Sequence, residues 1–183
     1  MRLCEIESVI RERLEDSKSL TIAIDGMSCS GKTTLADSLA SVFGATVIHM
    51  DDYFLPPGKI RTPHAGNTDI NRFNSELYGK ITEHRSFVSL AYDCRRGCYF
   101  PRVNRASGLV IVEGAYCLHP AVELEYDCKI FLTVSAGEQL RRLKARGNNV
   151  NDFLEKWIPL ENDYFEFYDI KSVCDIVTEV VLT

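Results

Sequence analysis

The sequence predicts an α/β fold in which a mostly parallel β-sheet lies between two layers of helices. Short apolar segments alternate along the chain with segments of helical periodicity, which is the order expected of βαβ units. The apolar segments are hydrophobic at nearly every position, as is typical of parallel strands buried on both faces. A chain of 183 residues is long enough for one such core and short for two, so we expect a single domain spanning residues 1–183.

The first predicted element is an amphipathic helix. Leu3, Ile6, Ile10 and Leu14 recur at helical spacing, and the polar stretch 16–19 ends the pattern. The same segment carries acidic residues throughout and no continuous apolar run. We therefore expect neither a signal peptide nor a membrane span there.

A βαβ unit and a long loop come next. Residues 20–24 are predicted to form a buried strand, residues 32–43 a helix and residues 46–49 a second strand. Residues 55–71 contain three prolines and two glycines, and therefore predict a surface loop. Loops of this length in compact domains are usually functional or mobile.

The second half of the chain continues the alternation of strands and helices. Two compact apolar runs, "GLVIVEG" and "CKIFLTV", are predicted strands. Residues 136–146 and 150–168 are predicted helices, and residues 174–182 a closing strand.

Composition limits the classes of function. Apolar residues make up 45% of the chain and charged residues 26%, close to the averages for soluble domains. The net charge of −5 argues against a general nucleic-acid binder and against a membrane-surface binder. The seven cysteines include no C-x-x-C pair, which favours a reducing, cytoplasmic environment. A homo-oligomer remains open.

The stretch "GMSCSGKT" is the most specific motif. Gly26, Gly31, Lys32 and Thr33 match G-x-x-x-x-G-K-[ST] between a predicted strand and a predicted helix. Glycines let the backbone amides curl around phosphate oxygens, and the helix adds the positive end of its dipole. The motif predicts a three-layer α/β/α fold of the P-loop NTPase type that binds ATP. The expected nucleotide-binding residues are Gly26, Ser28, Cys29, Ser30, Gly31, Lys32, Thr33 and Thr34.

Carboxylates stand at the ends of two predicted strands, where open α/β sheets place their chemistry. Asp51 could accept the proton of an attacking hydroxyl or hold a metal, and we prefer the role of base. The alternative is a carboxylate that caps the following turn, which fits Asp52 better. Glu113 follows a later strand and is expected to orient Mg²⁺ together with the hydroxyl of Thr33, although such a side chain could also be simply solvated.

The motifs "GMSCSGKTT", "HMDDYF", "NTDINRF", "YDCRR", "IVEGAY" and "RRLKARG" together resemble the uridine kinase family and related P-loop small-molecule kinases. The resemblance runs from about residue 20 to residue 178. It implies that Asp51 is the catalytic base and that Glu113 assists Mg²⁺. It also implies an acceptor site formed by Tyr53, Phe54, Asp69 and Tyr92.

The basic cluster in "RRLKARG" resembles the short helical lid of such kinases, whose arginines neutralise the transferred phosphoryl group. Arg142 and Arg146 match that pattern, whereas Arg141 and Lys144 are expected to face solvent. The lid is shorter than usual in the family. In uridine kinases a histidine follows the Tyr-Asp pair, and Gly97 stands at about that place here.

Two arginines precede Gly97, namely Arg95 and Arg96, and either meet an anionic acceptor or face water. We therefore expect an ATP- and Mg²⁺-dependent kinase that phosphorylates a hydroxyl of a nucleoside or a similar small molecule. A kinase for a pantothenate-like or phosphosugar acceptor is the first alternative. A nucleotide-binding regulator without an acceptor is the second, although the chain lacks an Asn-Lys-x-Asp guanine motif.

Overall fold

A five-stranded parallel sheet forms the centre of the molecule. The computed structural model describes residues 1–59, 61–83, 85–94, 96–147 and 149–180. The strands of the sheet are β1 (Leu20–Gly26), β2 (Thr46–His49), β5 (Leu109–Glu113), β6 (Cys128–Leu132) and β7 (Ile176–Thr178). Their order is β2-β5-β1-β6-β7, and every neighbouring pair is parallel. The interior positions of β1 and β5 in the sheet explain why both are buried along their whole length.

Helices cover both faces of this sheet. They are α1 (Leu3–Asp16), α2 (Lys32–Phe43), α3 (Ile70–Thr82), α4 (Ala136–Ala145), α5 (Val150–Asp152) and α6 (Ile158–Phe167). One buried cluster joins α1 and α2 to the face of β1 that carries Ile22 and Ile24. A second cluster joins α3 and α6 to the face that carries Ala23. The predicted three-layer α/β/α fold is confirmed.

The structure contains a separate antiparallel hairpin that the sequence analysis did not predict. Its strands are β3 (Phe87–Asp93) and β4 (Cys98–Asn104), paired from Phe87 opposite Asn104 to Asp93 opposite Cys98. The hairpin packs beside the 3₁₀ turn Met50–Tyr53 that follows β2. The "YDCRR" motif therefore lies at the tip of a hairpin.

The long loop after this turn is more firmly packed than the prediction of a surface loop implied. An antiparallel bridge between Phe54 and Thr68 closes its two ends. Ala65 is fully buried, and Thr68 is 1% exposed. The loop is also shorter than predicted, because α3 begins at Ile70.

The last predicted helix is interrupted in its hydrogen bonding. Residues 150–167 are helical, but Phe153–Trp157 forms a π-helical segment between α5 and α6. The closing strand β7 is shorter than the predicted 174–182, of which residues 181 and 182 lie outside the described part of the chain.

Candidate active site

The loop between β1 and α2 requires glycine at its first position. Gly26 has φ 137°, a conformation that residues with a side chain rarely adopt. A Cβ at this position would lie 2.2 Å from the carbonyl oxygen of Leu132 in the neighbouring strand. Gly31, with φ 100°, then turns the chain into the first residue of α2. The loop can therefore curl directly at the edge of the sheet.

Lys32 lies inside this curl. Its Nζ donates hydrogen bonds to the carbonyl oxygens of Gly26 (2.7 Å) and Met27 (3.0 Å). The amides of the first turn of α2, including that of Thr33, have no carbonyl acceptor within the helix. A positive side chain and unpaired helix amides thus face one point, which is the arrangement that binds a phosphate group.

A chain of side-chain contacts connects the loop to the ends of β2 and β5. The Thr33 hydroxyl donates to Oε1 of Glu113 (3.1 Å), and Nδ1 of His49 lies 2.6 Å from the same oxygen. His49 and Glu113 are register partners in adjacent parallel strands, which explains their meeting. The hydrogen bond to Glu113 raises the pKa of His49. The sequence prediction treated His49 as an ordinary strand residue and missed this contact.

A cavity of about 150 Å³ lies at the carboxyl ends of β1, β2 and β5. The predicted functional side chains that line it are Lys32, Thr33, Asp51, Glu113 and Arg146. Asp51 is exposed to solvent there, yet the protein atoms around its carboxylate reduce its hydration and raise its pKa, as does the charge of Glu113.

The second aspartate of the turn has a different partner. Oδ2 of Asp52 lies 2.8 Å from Nε of Arg102 on β4, and Nη2 of Arg102 donates to Oδ1 at 3.1 Å. Asp52 therefore connects the turn to the hairpin through an ion pair. The alternative role for the two aspartates was a carboxylate that caps the turn.

The two arginines expected in the lid have different surroundings. Nη1 of Arg142 donates to the carbonyl oxygen of Cys29 (2.9 Å), and its Nε donates to Glu138 (2.6 Å). Arg146, which caps the C-terminus of α4, is exposed at the cavity. Arg141 pairs with Glu138 on the solvent side, as expected of a solvated helix face.

The residues expected to hold the acceptor are more spread out than those that line the cavity. Tyr53 is 1% exposed, and its ring packs edge-on against Phe73. In this conformation the Tyr53 side chain supports the site from the core, and its role in the acceptor site stays a prediction. Phe54 is half-buried beside it. Asp69 caps α3 by accepting a hydrogen bond from the amide of Arg72 (3.1 Å).

Tyr92 and Arg96 both lie towards the tip of the hairpin. The Tyr92 ring lies 5.0 Å from that of Tyr99, and the two form an aromatic pair across the strands. Arg96 is exposed and its Nε lies 3.6 Å from Oδ2 of Asp93. Arg95 lies outside the described residues. In this structure the Arg96 side chain faces solvent.

Arg72 is the most extensively bonded residue that the sequence prediction missed. Its Nη1 donates to the Leu90 carbonyl and its Nη2 to the Asp52 carbonyl, each at 2.6 Å. Its guanidinium also lies 4.3 Å above the ring of Tyr53. Arg72 therefore joins α3, the Met50–Tyr53 turn and the hairpin. The quoted motif "NTDINRF" contains this residue, but nothing in the motif indicates its partners.

Comparison with known proteins identifies the family. No protein-family model matches the chain. Over 139 residues the chain is 30% identical to nicotinamide riboside kinase 2 of Mus musculus, and the match covers 73% of this chain and 71% of the mouse protein. The chain belongs to the uridine kinase-like P-loop kinases. The resemblance predicted from the motifs is thereby confirmed, and this uridine kinase-like chain is a small-molecule kinase.

Two solved structures share its fold. A possible uridine kinase from Bacillus stearothermophilus superposes with a TM-score of 0.69 at 20% identity, over 88% of this chain and 89% of that one. A candidate fructose transport system kinase from Silicibacter sp. TM1040 gives 0.68 at 21% identity, over 97% and 98% of the two chains. None of the helices among the described residues has the length and apolar character needed to cross a bilayer.

A buried carboxylate lies beneath the P-loop of this uridine kinase-like chain. Asp25 is fully buried and accepts hydrogen bonds from the amides of Gly26 (2.7 Å) and Leu118 (3.1 Å) and from the hydroxyl of Tyr164 (2.8 Å). Burial raises the pKa of Asp25 to about 6, and the nearby charge of Lys32 opposes that shift. A lone acid at the end of the apolar run "TIAIDG" was the available signal in the sequence.

Proposed function

We propose that this kinase transfers the γ-phosphoryl group of ATP to a hydroxyl of a nucleoside. The observation that carries the proposal is the single cavity in which Lys32, Thr33, Asp51, Glu113 and Arg146 meet. Phosphoryl transfer depends mainly on positioning and on stabilising charge, and these side chains supply both. A nucleoside acceptor is favoured because the related mouse protein is named for a nucleoside substrate.

The donor set fits Mg²⁺ and a triphosphate. A hydroxyl and a carboxylate, which are ligand types that Mg²⁺ prefers, meet where Thr33 and Glu113 are 3.1 Å apart. Thr33 and Glu113 would hold Mg²⁺ there, and the ion would supply positive charge against the phosphates. A larger cavity of about 600 Å³ continues past Cys29, Gly31 and Thr34, and offers room for the nucleoside of ATP.

Each side chain has a separate role in this proposal. Lys32 holds the phosphate oxygens from inside the loop. Asp51 accepts the proton of the acceptor hydroxyl, and the reduced hydration of its carboxylate raises its pKa, which makes it a stronger base than an ordinary aspartate. Arg142 and Arg146 flank the loop and stabilise negative charge on the transferred group.

We infer an acceptor site between the Met50–Tyr53 turn and the hairpin. Phe54 and Asp69 lie where the long loop returns to this turn, next to the Phe54–Thr68 bridge, and Tyr92 lies on β3. In this arrangement a planar base would pack on Tyr92 while the sugar hydroxyls face Asp69 and Asp51. We also propose that the chain works as one domain, because both buried clusters share the same sheet. We propose a cytoplasmic location, which the cysteine usage favours.

ATP consumption in the presence of an acceptor panel tests the proposal. The panel contains nucleosides, a pantothenate-like diol and phosphosugars, each measured with Mg²⁺ and with Mg²⁺ removed by EDTA. We expect ADP release that a nucleoside stimulates and that EDTA abolishes. Stimulation by a phosphosugar or pantothenate alone would replace the acceptor, and release independent of any acceptor would favour a nucleotide-binding regulator.

A further inference from the structure

Helix α6 contacts the P-loop through two side chains that are one turn apart. The hydroxyl of Tyr164 donates to Asp25, which in turn accepts the Gly26 amide. Glu161 accepts two hydrogen bonds from Ser28, one from its amide (2.9 Å) and one from its hydroxyl (2.6 Å). Residues three apart lie on the same face of a helix, so both contacts depend on the same placement of α6.

Helix α4 holds the same part of the loop from the other side. Nε2 of Gln139 donates to the Ser28 carbonyl (2.8 Å), while Arg142 donates to the Cys29 carbonyl (2.9 Å). The amide, carbonyl and hydroxyl of Ser28 are thus all bound to side chains of two helices. Glu161 and Gln139 are 8% and 6% exposed, so water does not easily replace these contacts.

The loop backbone needs this support. Cys29 has φ 61°, a left-handed conformation that disfavours residues other than glycine. Such a conformation persists only where the surroundings determine it. The peptide groups on both sides of the strained residue are held by Gln139 and Arg142, and Glu161 holds the preceding peptide group through the Ser28 amide.

The charge of Glu161 opposes the binding of a phosphate. Its carboxylate lines the same 150 Å³ cavity as Lys32 and Asp51. A negative group beside a triphosphate weakens binding by repulsion. The contribution of Glu161 to the site must therefore be geometric.

We propose that Glu161 is a positioning residue, which fixes the first half of the P-loop so that the second half presents its amides to ATP. The proposal rests on the function proposed above and adds a residue outside the loop motif. It makes helices α4 and α6 part of the nucleotide site. It also predicts that loss of Glu161 affects the binding of ATP more than the transfer step.

The test compares Glu161→Ala, Glu161→Gln and the control Glu166→Ala, which removes an exposed acid from the same helix. Binding of a non-hydrolysable ATP analogue is measured by calorimetry, and KM for ATP and kcat are measured with the best acceptor. We expect Glu161→Ala to weaken ATP binding by about tenfold, as for one lost charged hydrogen bond, with kcat nearly unchanged. Glu161→Gln should bind ATP at least as tightly as the wild type, because its amide oxygen can accept the Ser28 N–H, its NH₂ can donate to the hydroxyl, and the repelling charge is gone.

Three outcomes would overturn the inference. They are unchanged ATP affinity in Glu161→Ala, an affinity of Glu161→Gln as low as that of Glu161→Ala, and an equal loss in Glu166→Ala. If Glu161→Ala does not fold, Ser28→Ala removes only the hydroxyl contact and should weaken ATP binding by about two- to threefold. Calorimetry requires no acceptor, so failure of the acceptor panel leaves this result readable, whereas a wild type that binds no ATP analogue refutes the proposed function itself.

Discussion

The phosphate end and the acceptor end of the site are built in different ways. At the phosphate end, defined by Gly26–Thr33 and Glu113, a recognisable motif and the regular sheet place the side chains: a glycine-rich loop between one strand and one helix, and the end of an adjacent parallel strand. At the acceptor end, defined by the Met50–Tyr53 turn and the β3–β4 hairpin, long-range contacts place them. Arg72 and Arg102 there hold together segments that are far apart in the sequence.

This difference predicts how substitutions at each end should affect the protein. The phosphate end depends on backbone geometry that few residue types allow, whereas the acceptor end depends on individual side-chain contacts. We therefore expect substitutions at the phosphate end, and of the proposed base Asp51 where the two ends meet, to abolish activity. Substitutions of the side-chain contacts that build the acceptor end should change the acceptor KM. The four predictions that follow test this contrast, beginning with the largest expected effect.

Asp51→Asn should lower kcat by about 10²–10⁴-fold, because the amide cannot accept the proton of the acceptor hydroxyl. ATP affinity should remain nearly unchanged, since the P-loop is intact. Asp52→Asn is the matched control: it weakens only the ion pair with Arg102 and should leave kcat within a fewfold of the wild type. Steady-state kinetics with the best acceptor measures both, and equal losses in the two variants would refute the assignment of Asp51 as the base.

Gly26→Ala should destabilise the fold by roughly 3–5 kcal/mol, because the new Cβ meets the Leu132 backbone and φ 137° is unfavourable for alanine. The matched control is Gly137→Ala, where nothing lies within 4 Å of the added Cβ and the residue stands in α4. That variant should be neutral or more stable by up to about 1 kcal/mol. Urea unfolding decides, and a well-folded Gly26→Ala would contradict the geometry described for the loop.

The sequence determines much of the phosphate end and little of the acceptor end. The P-loop motif and the carboxylates after β2 and β5 could be placed in advance because parallel strands end at one edge of the sheet. The hairpin could not, since Pro101 inside β4 is unusual in a strand and Val88, Leu90 and Val103 are exposed apolar residues.

Helix α3 was within reach of sequence analysis, because Ile70, Phe73, Leu77 and Ile81 have helical spacing. The contacts of Arg72 were not. Its acceptors are carbonyl oxygens of Leu90 and Asp52, and every residue has a carbonyl, so no sequence pattern marks them. The same reason hides the contact of Gln139 with Ser28.

The buried Asp25 should make stability depend on pH. Its folded pKa of about 6 lies above the ordinary 3.8, so the stability that its protonated form contributes is present below about pH 4 and is lost as pH rises through 6. The free energy of unfolding of the wild type relative to Asp25→Asn should therefore fall by roughly 2–3 kcal/mol between pH 4 and pH 7. Urea unfolding across this range measures the difference.

Asp175→Asn provides a control of opposite sign. Burial alone would raise the pKa of Asp175, but hydrogen bonds from the Lys129 amide and Arg13 hold it below the ordinary value. Its contribution is present above the ordinary pKa and is lost as pH falls. If the difference in the free energy of unfolding between the wild type and Asp25→Asn does not change with pH, the carboxylate under the P-loop is ionised throughout the range.

Arg72→Lys should have the smallest effect of the four, and it tests the acceptor end directly. Lysine keeps the charge but cannot bond the Leu90 and Asp52 carbonyls with one planar fork, so we expect about 1–2 kcal/mol of lost stability and an acceptor KM raised about three- to tenfold. The KM for ATP should not change. Arg96→Lys is the matched control, because that side chain is 81% exposed at the hairpin tip and should alter neither quantity. A raised acceptor KM in Arg96→Lys alone would instead mean that the tip of the hairpin meets an anionic group of the acceptor, and that the contacts of Arg72 serve only folding.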